Sequence, residues 1–195
     1  MLLGNRPTAI EAPAPRDKTY AHIDDSAIAV IRWLNAARVD YVVVGSVARI
    51  IRADPTESQR GPVAIVPAPY GRNLDRLARA LTSVRARARY DGELSGPGVD
   101  PTGGRSTPLR ISADKLVRAE RWTLRLGNFD LDVEGRPAGV PRYQELLYEA
   151  VRFELAEGVS AEIASPIDIA QYEHMRRTGL APQISISRAV PLEHV

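Results

Sequence analysis

Cysteine is absent from the 195 residues, which excludes disulfides, thiolate metal sites and a cysteine nucleophile. Histidine is scarce. His22, His174 and His194 are scattered along the chain, so a histidine-based zinc site is not expected. No apolar run is long enough to span a bilayer, and residues 1–16 lack the basic-then-apolar pattern of an export signal. A cytoplasmic protein with no membrane contact is the expectation.

What is present suits a folded domain. With 44% hydrophobic and 26% charged residues, the chain can bury one proper core and remain soluble. Residues 1–22 hold prolines at 7, 13 and 15 among alanine and charge, and are expected to form a flexible arm. The domain is expected over 23–179, with an exposed Gly- and Pro-rich loop at 91–108 and a tail at 180–195 that has little periodicity.

The domain is organised around Tyr41-Val42-Val43-Val44-Gly45-Ser46. Three consecutive valines without polar alternation predict a strand covered on both faces. Gly45 then permits a sharp turn or a close approach to a ligand, and Ser46 is a cap candidate for a short helix over 47–52. Backbone N–H groups at such a helix start favour anions, phosphate among them. Strand-Gly-Ser-helix is also an ordinary connection, so the turn alone does not assign a ligand.

Around this stretch, Asp24, Asp25 and Ser26 are N-cap candidates for a helix through 37 that carries Ile28, Ile31 and Leu34 at helical spacing. A second apolar strand is expected over 63–66, and an amphipathic helix over 72–84 with Leu74, Leu77, Ala78 and Leu81 on one face. A short helix is expected over 112–120. Segments 122–126 and 129–133 read as a hairpin about Gly127-Asn128. Period-two alternation puts Phe129, Leu131 and Val133 on one face and Asp130 and Asp132 on the other, where they could simply form an outward polar face. A helix over 141–150 and a hairpin of 151–155 with 159–163 follow. Ser165-Pro166-Ile167-Asp168 then starts a last helix in capping-box style, and Gly179 ends it.

Charge is unevenly placed although the net value is only +2. Arg72, Arg76, Arg79, Arg85, Arg87 and Arg89 crowd one region with few acids between them. That can be a basic face for a nucleotide or nucleic acid, or an arginine-rich solvated surface. Aromatic residues for base stacking are not interleaved there, which favours the second reading.

In this order the motifs are familiar. From residue 28 to 179 the chain resembles the small nucleotidyltransferases of the DNA polymerase β superfold, within them the group related to AbiEii-type toxins and minimal nucleotidyltransferases. The resemblance rests on the strand ending in Gly45-Ser46, the Asn73-Leu74-Asp75-Arg76-Leu77 helix, Gly127-Asn128-Phe129-Asp130, the Tyr143 helix, the hairpin at Gly158 and Ala164-Ser165-Pro166-Ile167-Asp168. It implies an α+β fold, a mixed β-sheet flanked by helices, with Gly45, Ser46 and Arg49 at a nucleotide and Asp130 as the third metal-binding acid. The family's chemistry needs two further carboxylates, one residue apart on a neighbouring strand, to hold two magnesium ions. Their positions here are Pro62 and Ala64, which cannot bind a metal. The lysine that relatives carry one turn into the last helix is also missing, with Glu173 in its place.

The leading expectation is therefore a catalytically inactive member with no cofactor, binding a nucleotide, a nucleic acid or a protein partner, with Asp130 a relict. One alternative is an active, toxin-like transferase of a nucleoside monophosphate with a rearranged magnesium site, Asp54 or Glu57 substituting for the lost acids. Another is an unrelated α/β interaction module. Nucleotide, acceptor, oligomeric state and any toxin–antitoxin partner are not legible.

Overall fold

The computed structural model describes residues 23–52, 61–88, 111–118, 121–126, 129–135 and 141–178. The expected arm 1–22, the loop 91–108, the tail 180–195, the turn at Gly127-Asn128, and Asp54, Glu57 and Gly179 lie outside them. In chain order the elements are α1 (Asp25–Ala36), β1 (Tyr41–Val44), α2 (Gly45–Arg52), β2 (Val63–Pro67), α3 (Gly71–Ser83), β3 (Arg87–Ala88) and α4 (Ala113–Arg118). They continue with β4 (Arg121–Leu126), β5 (Phe129–Glu134), α5 (Tyr143–Glu149), β6 (Val151–Ala156), β7 (Val159–Ile163) and α6 (Pro166–Thr178). The architecture is α+β, and among these elements no helix is long and apolar enough to cross a membrane.

The strands form one mixed sheet in the order β3-β4-β5-β2-β1-β7-β6. β1 lies near its middle, antiparallel to β2 and parallel to β7, and β2 is in turn parallel to β5. Every residue of β1 and β2 is buried, as unbroken apolar runs covered on both faces require.

Helices occupy both faces. Asn35 on α1 accepts from the Tyr41 hydroxyl at 2.9 Å and donates to the Ser160 carbonyl at 2.8 Å, which fixes α1 on the face to which Tyr41 and Val43 point. Val42 and Val44 point to the other face, with Ala64 opposite Val44. There α6 packs against α2, because a Cβ on Gly45 would lie 3.1 Å from Tyr172 Cε1 and 3.4 Å from Ala64 Cβ.

Local chemistry accounts for the element ends. The Asp24 carboxylate accepts from Ser26 N at 2.8 Å at the start of α1. Ser165 Oγ accepts from Asp168 N at 3.2 Å and donates to its carboxylate at 2.7 Å, so the capping pattern read in the sequence opens α6 with Pro166 in its first position. Arg52 closes the end of β7 by donating from Nε to the Ala164 carbonyl and from Nη2 to the Ile163 carbonyl, both at 3.0 Å. Burial holds its pKa below the usual guanidinium value.

Three features differ from the sequence reading. The second helix begins at Gly45 rather than at 47, since the whole turn is compressed into the left-handed backbone of Gly45 at φ +70°, and Ser46 falls inside the first helical turn. A two-residue strand, β3, extends the sheet after α3 by pairing with β4. The acidic side of β5 is not an outward polar face: Asp132 and Glu134 are each only 2% exposed.

Candidate functional site

Parallel register puts Ala64 of β2 beside Asp132 of β5, and Val63 beside Leu131. Extending the ladder by one residue sets Pro62 level with Asp130. The two positions that lack the expected acids are thus flanked, one strand over, by two acids on a single face, because residues two apart on a strand project the same way. Glu134 continues the series, making Asp130-x-Asp132-x-Glu134 a ladder of three carboxylates.

Arginines answer this ladder. Across the antiparallel β4–β5 pair, Arg125 stands opposite Asp130, Thr123 opposite Asp132 and Arg121 opposite Glu134. Arg125 Nε lies 2.7 Å from Asp130 Oδ1 in a half-exposed ion pair. From α6, Arg176 Nη1 reaches Asp132 Oδ2 at 3.3 Å and Glu134 Oε1 at 3.7 Å. One turn earlier, at the i−4 position on the same helix face, the Tyr172 hydroxyl donates a short hydrogen bond to Glu134 Oε1. The guanidinium also stands 5.9 Å from the Tyr172 ring centre, within cation–π range.

Burial and the neighbouring carboxylate charge both favour the neutral phenol, and the Tyr172 pKa is pushed far above the ordinary tyrosine value. Tyr172 is therefore a fixed donor and not a proton carrier. It also fills the space above Gly45.

The registers set the Gly45-Ser46 turn and Asp130 at one end of the sheet, on either side of Pro62. Gly45 is buried beneath the Tyr172 ring, while Ser46, next in the first turn of α2, is half-buried. Arg49 on the same helix pairs through Nε with Glu173 Oε1 at 3.0 Å, both side chains being 39% exposed. Glu173 thus ties α6 to α2. Gly45 and Arg49 meet α6 through Tyr172 and Glu173, Ser46 lies beside Gly61, and Asp130 belongs to the β5 ladder with Arg125.

A magnesium ion does not fit this arrangement. A hard dication prefers several oxygen ligands in octahedral geometry. Beside Asp132 it would meet the methyl of Ala64 on one strand and a guanidinium already on Oδ2. Among the described residues no group of three His, Asp or Glu is arranged to hold a metal ion.

Glu134, Tyr172 and Arg176 were not singled out from the sequence. The period-two run from Asp130 to Glu134 carries one signal, and the four-residue spacing of Tyr172 and Arg176 another, but nothing local links helix to strand. Asn73, quoted above only as part of a motif, proves to be structural. It is 2% exposed, accepts from Asp40 N at 2.8 Å, and donates to the carbonyls of Asp40 at 2.9 Å and Ala68 at 3.0 Å, tying the entrance of β1 to the exit of β2.

No protein-family model matches the chain, and no curated protein matches it.

Proposed function

We propose that this chain is a nucleotidyltransferase-like protein of the AbiEii and minimal-transferase kind that has given up nucleotide transfer and works by binding a nucleic acid or protein partner in the cytoplasm. The observation that carries the reading is the position of Arg176. Its guanidinium stands between Asp132 and Glu134, beside the strand position where the family's second paired acid would be, and supplies the positive charge that a metal supplies in an active transferase. The mixed sheet, with β2 antiparallel to β1 and parallel to the acid-bearing β5, supports the kinship. Alanine at position 64 and proline at position 62 support the loss of chemistry.

Binding of a nucleoside triphosphate at the Gly45-Ser46 turn is disfavoured by the same helix. A phosphate approaching Gly45 must displace the Tyr172 ring, which is anchored on Glu134. A macromolecular partner on another face is the better-supported role.

The test is incubation of the purified protein with each of the four α-labelled nucleoside triphosphates, magnesium or manganese, and total RNA or protein as acceptor. The expected result is no transfer of label. Metal-dependent labelling that disappears in Asp132→Asn would overturn the reading and restore an active enzyme with a rearranged site.

A further inference from the structure

On the face of the sheet away from α6 lies a groove lined by Ala36 and Ala37 from the end of α1 and by Ala80 and Ser83 from α3. The groove is open and shallow, with a volume of about 590 Å³. Trp33, half-buried, lines it from α1, and Arg38, Arg76 and Arg79 stand along it. The arginine crowding seen in the sequence lacked an aromatic partner in the same stretch. Folding supplies one from forty residues earlier in the chain.

Among the described residues no acid lines the groove. Arg76 Nη1 donates to the Arg38 carbonyl at 3.0 Å and lies 4.0 Å from Asp40 Oδ2, and Arg79 Nε donates to the Asp75 carbonyl at 3.2 Å. Arg38 and Arg79 are exposed, and neither pairs with a carboxylate among the described residues.

Arg38 occupies its position at a conformational disadvantage. It is the first residue beyond the cap of α1, with φ at +56°, and the turn closes through Arg38 N to the Asn35 carbonyl at 2.9 Å and Val39 N to the Leu34 carbonyl at 3.1 Å. That pair of bonds is the helix-ending motif in which glycine, or sometimes asparagine, normally stands, because a Cβ is disfavoured there. Arg85 ends α3 in the same way, at φ +51°, so what distinguishes Arg38 is that it stands along the groove.

We propose that this groove binds single-stranded nucleic acid, one base entering to lie on Trp33 while consecutive phosphates run along Arg38, Arg76 and Arg79. Stacking on an aromatic ring with guanidinium groups on the backbone is the chemistry by which unpaired strands are held. A duplex keeps its bases stacked and cannot place one in the groove. The proposal deepens the binding role above but uses the opposite face of the sheet: its failure leaves the absence of transfer standing, and detected transfer leaves the groove untouched.

The experiment uses the full chain carrying Trp122→Phe, so that Trp33 is the sole tryptophan, titrated with oligouridine, oligothymidine, a duplex and polyglutamate. Single strands are expected to quench Trp33 and to bind more tightly than the duplex, with oligouridine against oligothymidine separating an RNA site from a general single-strand site. With three phosphate contacts, affinity should fall about 20-fold between 50 and 200 mM salt. Arg79→Ala should weaken binding and flatten the salt slope by about 0.7. Arg38→Gly should weaken binding while raising the melting temperature, a combination a purely structural arginine does not give. Unchanged Trp33 fluorescence at saturation, unchanged affinity in both arginine variants, or equal binding of polyglutamate would overturn the proposal.

Discussion

Ala64 and Asp132 are neighbours across the parallel β2–β5 ladder, a methyl group beside a carboxylate that is 2% exposed. A charge so placed must find a counter-charge, because an isolated carboxylate in a low-dielectric interior is strongly disfavoured. Arg176 provides it from α6, and three acids on one strand face become a network answered by arginine on β4 and α6.

Removing that counter-charge has a measurable consequence. Arg176→Ala leaves Asp132 and Glu134 buried without their guanidinium. Because Arg176 is itself one-third exposed, the expected loss is about 2–3 kcal/mol, below the ~3–5 kcal/mol of a fully buried pair. Urea unfolding measures it, and Asp132→Asn in the Arg176→Ala background should recover part of it.

Stability should also decline in alkali. Burial raises the Tyr41 and Tyr172 pKa values well above the normal range, with the charge of Glu134 adding to the rise at Tyr172. A raised folded-state pKa means that stability is fully present below the unfolded phenol's value of about 10 and is lost as pH climbs above it. Unfolding free energy measured across this range should fall, and Tyr172→Phe should reduce the slope. In the folded protein neither phenol should contribute to phenolate absorbance near pH 10.

How far the sequence carries can be judged at these residues. Val42 to Val44 announce a two-sided buried strand, and Ser165-Pro166 announces the start of α6, because both signals are local. The alternation from Phe129 to Val133 separates two strand faces, yet says nothing about what covers the acidic one. That depends on α6 folding back so that Tyr172 reaches Glu134, thirty-eight residues away in the chain. Trp33 and Arg79 likewise line one groove although they lie on helices far apart in the chain.

Asn73→Ala should be among the more damaging single changes in α3. It removes three hydrogen bonds to the backbone of Asp40 and Ala68, one buried and two part-buried, and leaving such groups unsatisfied should lower stability by about 2–3 kcal/mol. Thermal or urea unfolding would detect the loss. A change within 0.5 kcal/mol, typical of ordinary surface substitutions, would mean that the tie between β1 and β2 is dispensable.

Gly45→Ala tests the packing of α6 over the turn. The left-handed backbone and the 3.1 Å approach to Tyr172 both oppose a Cβ, and a loss of about 2 kcal/mol is expected. Tyr172→Ala in the same background should relieve the steric part, so the two changes should be less than additive.

The most direct measurement is manganese binding, followed through the paramagnetic resonance signal of the free ion. With Arg176 standing on Asp132 and Glu134, the wild-type protein should leave that signal undiminished at millimolar metal. Stoichiometric uptake by the wild type, abolished by Asp132→Asn, would contradict the account.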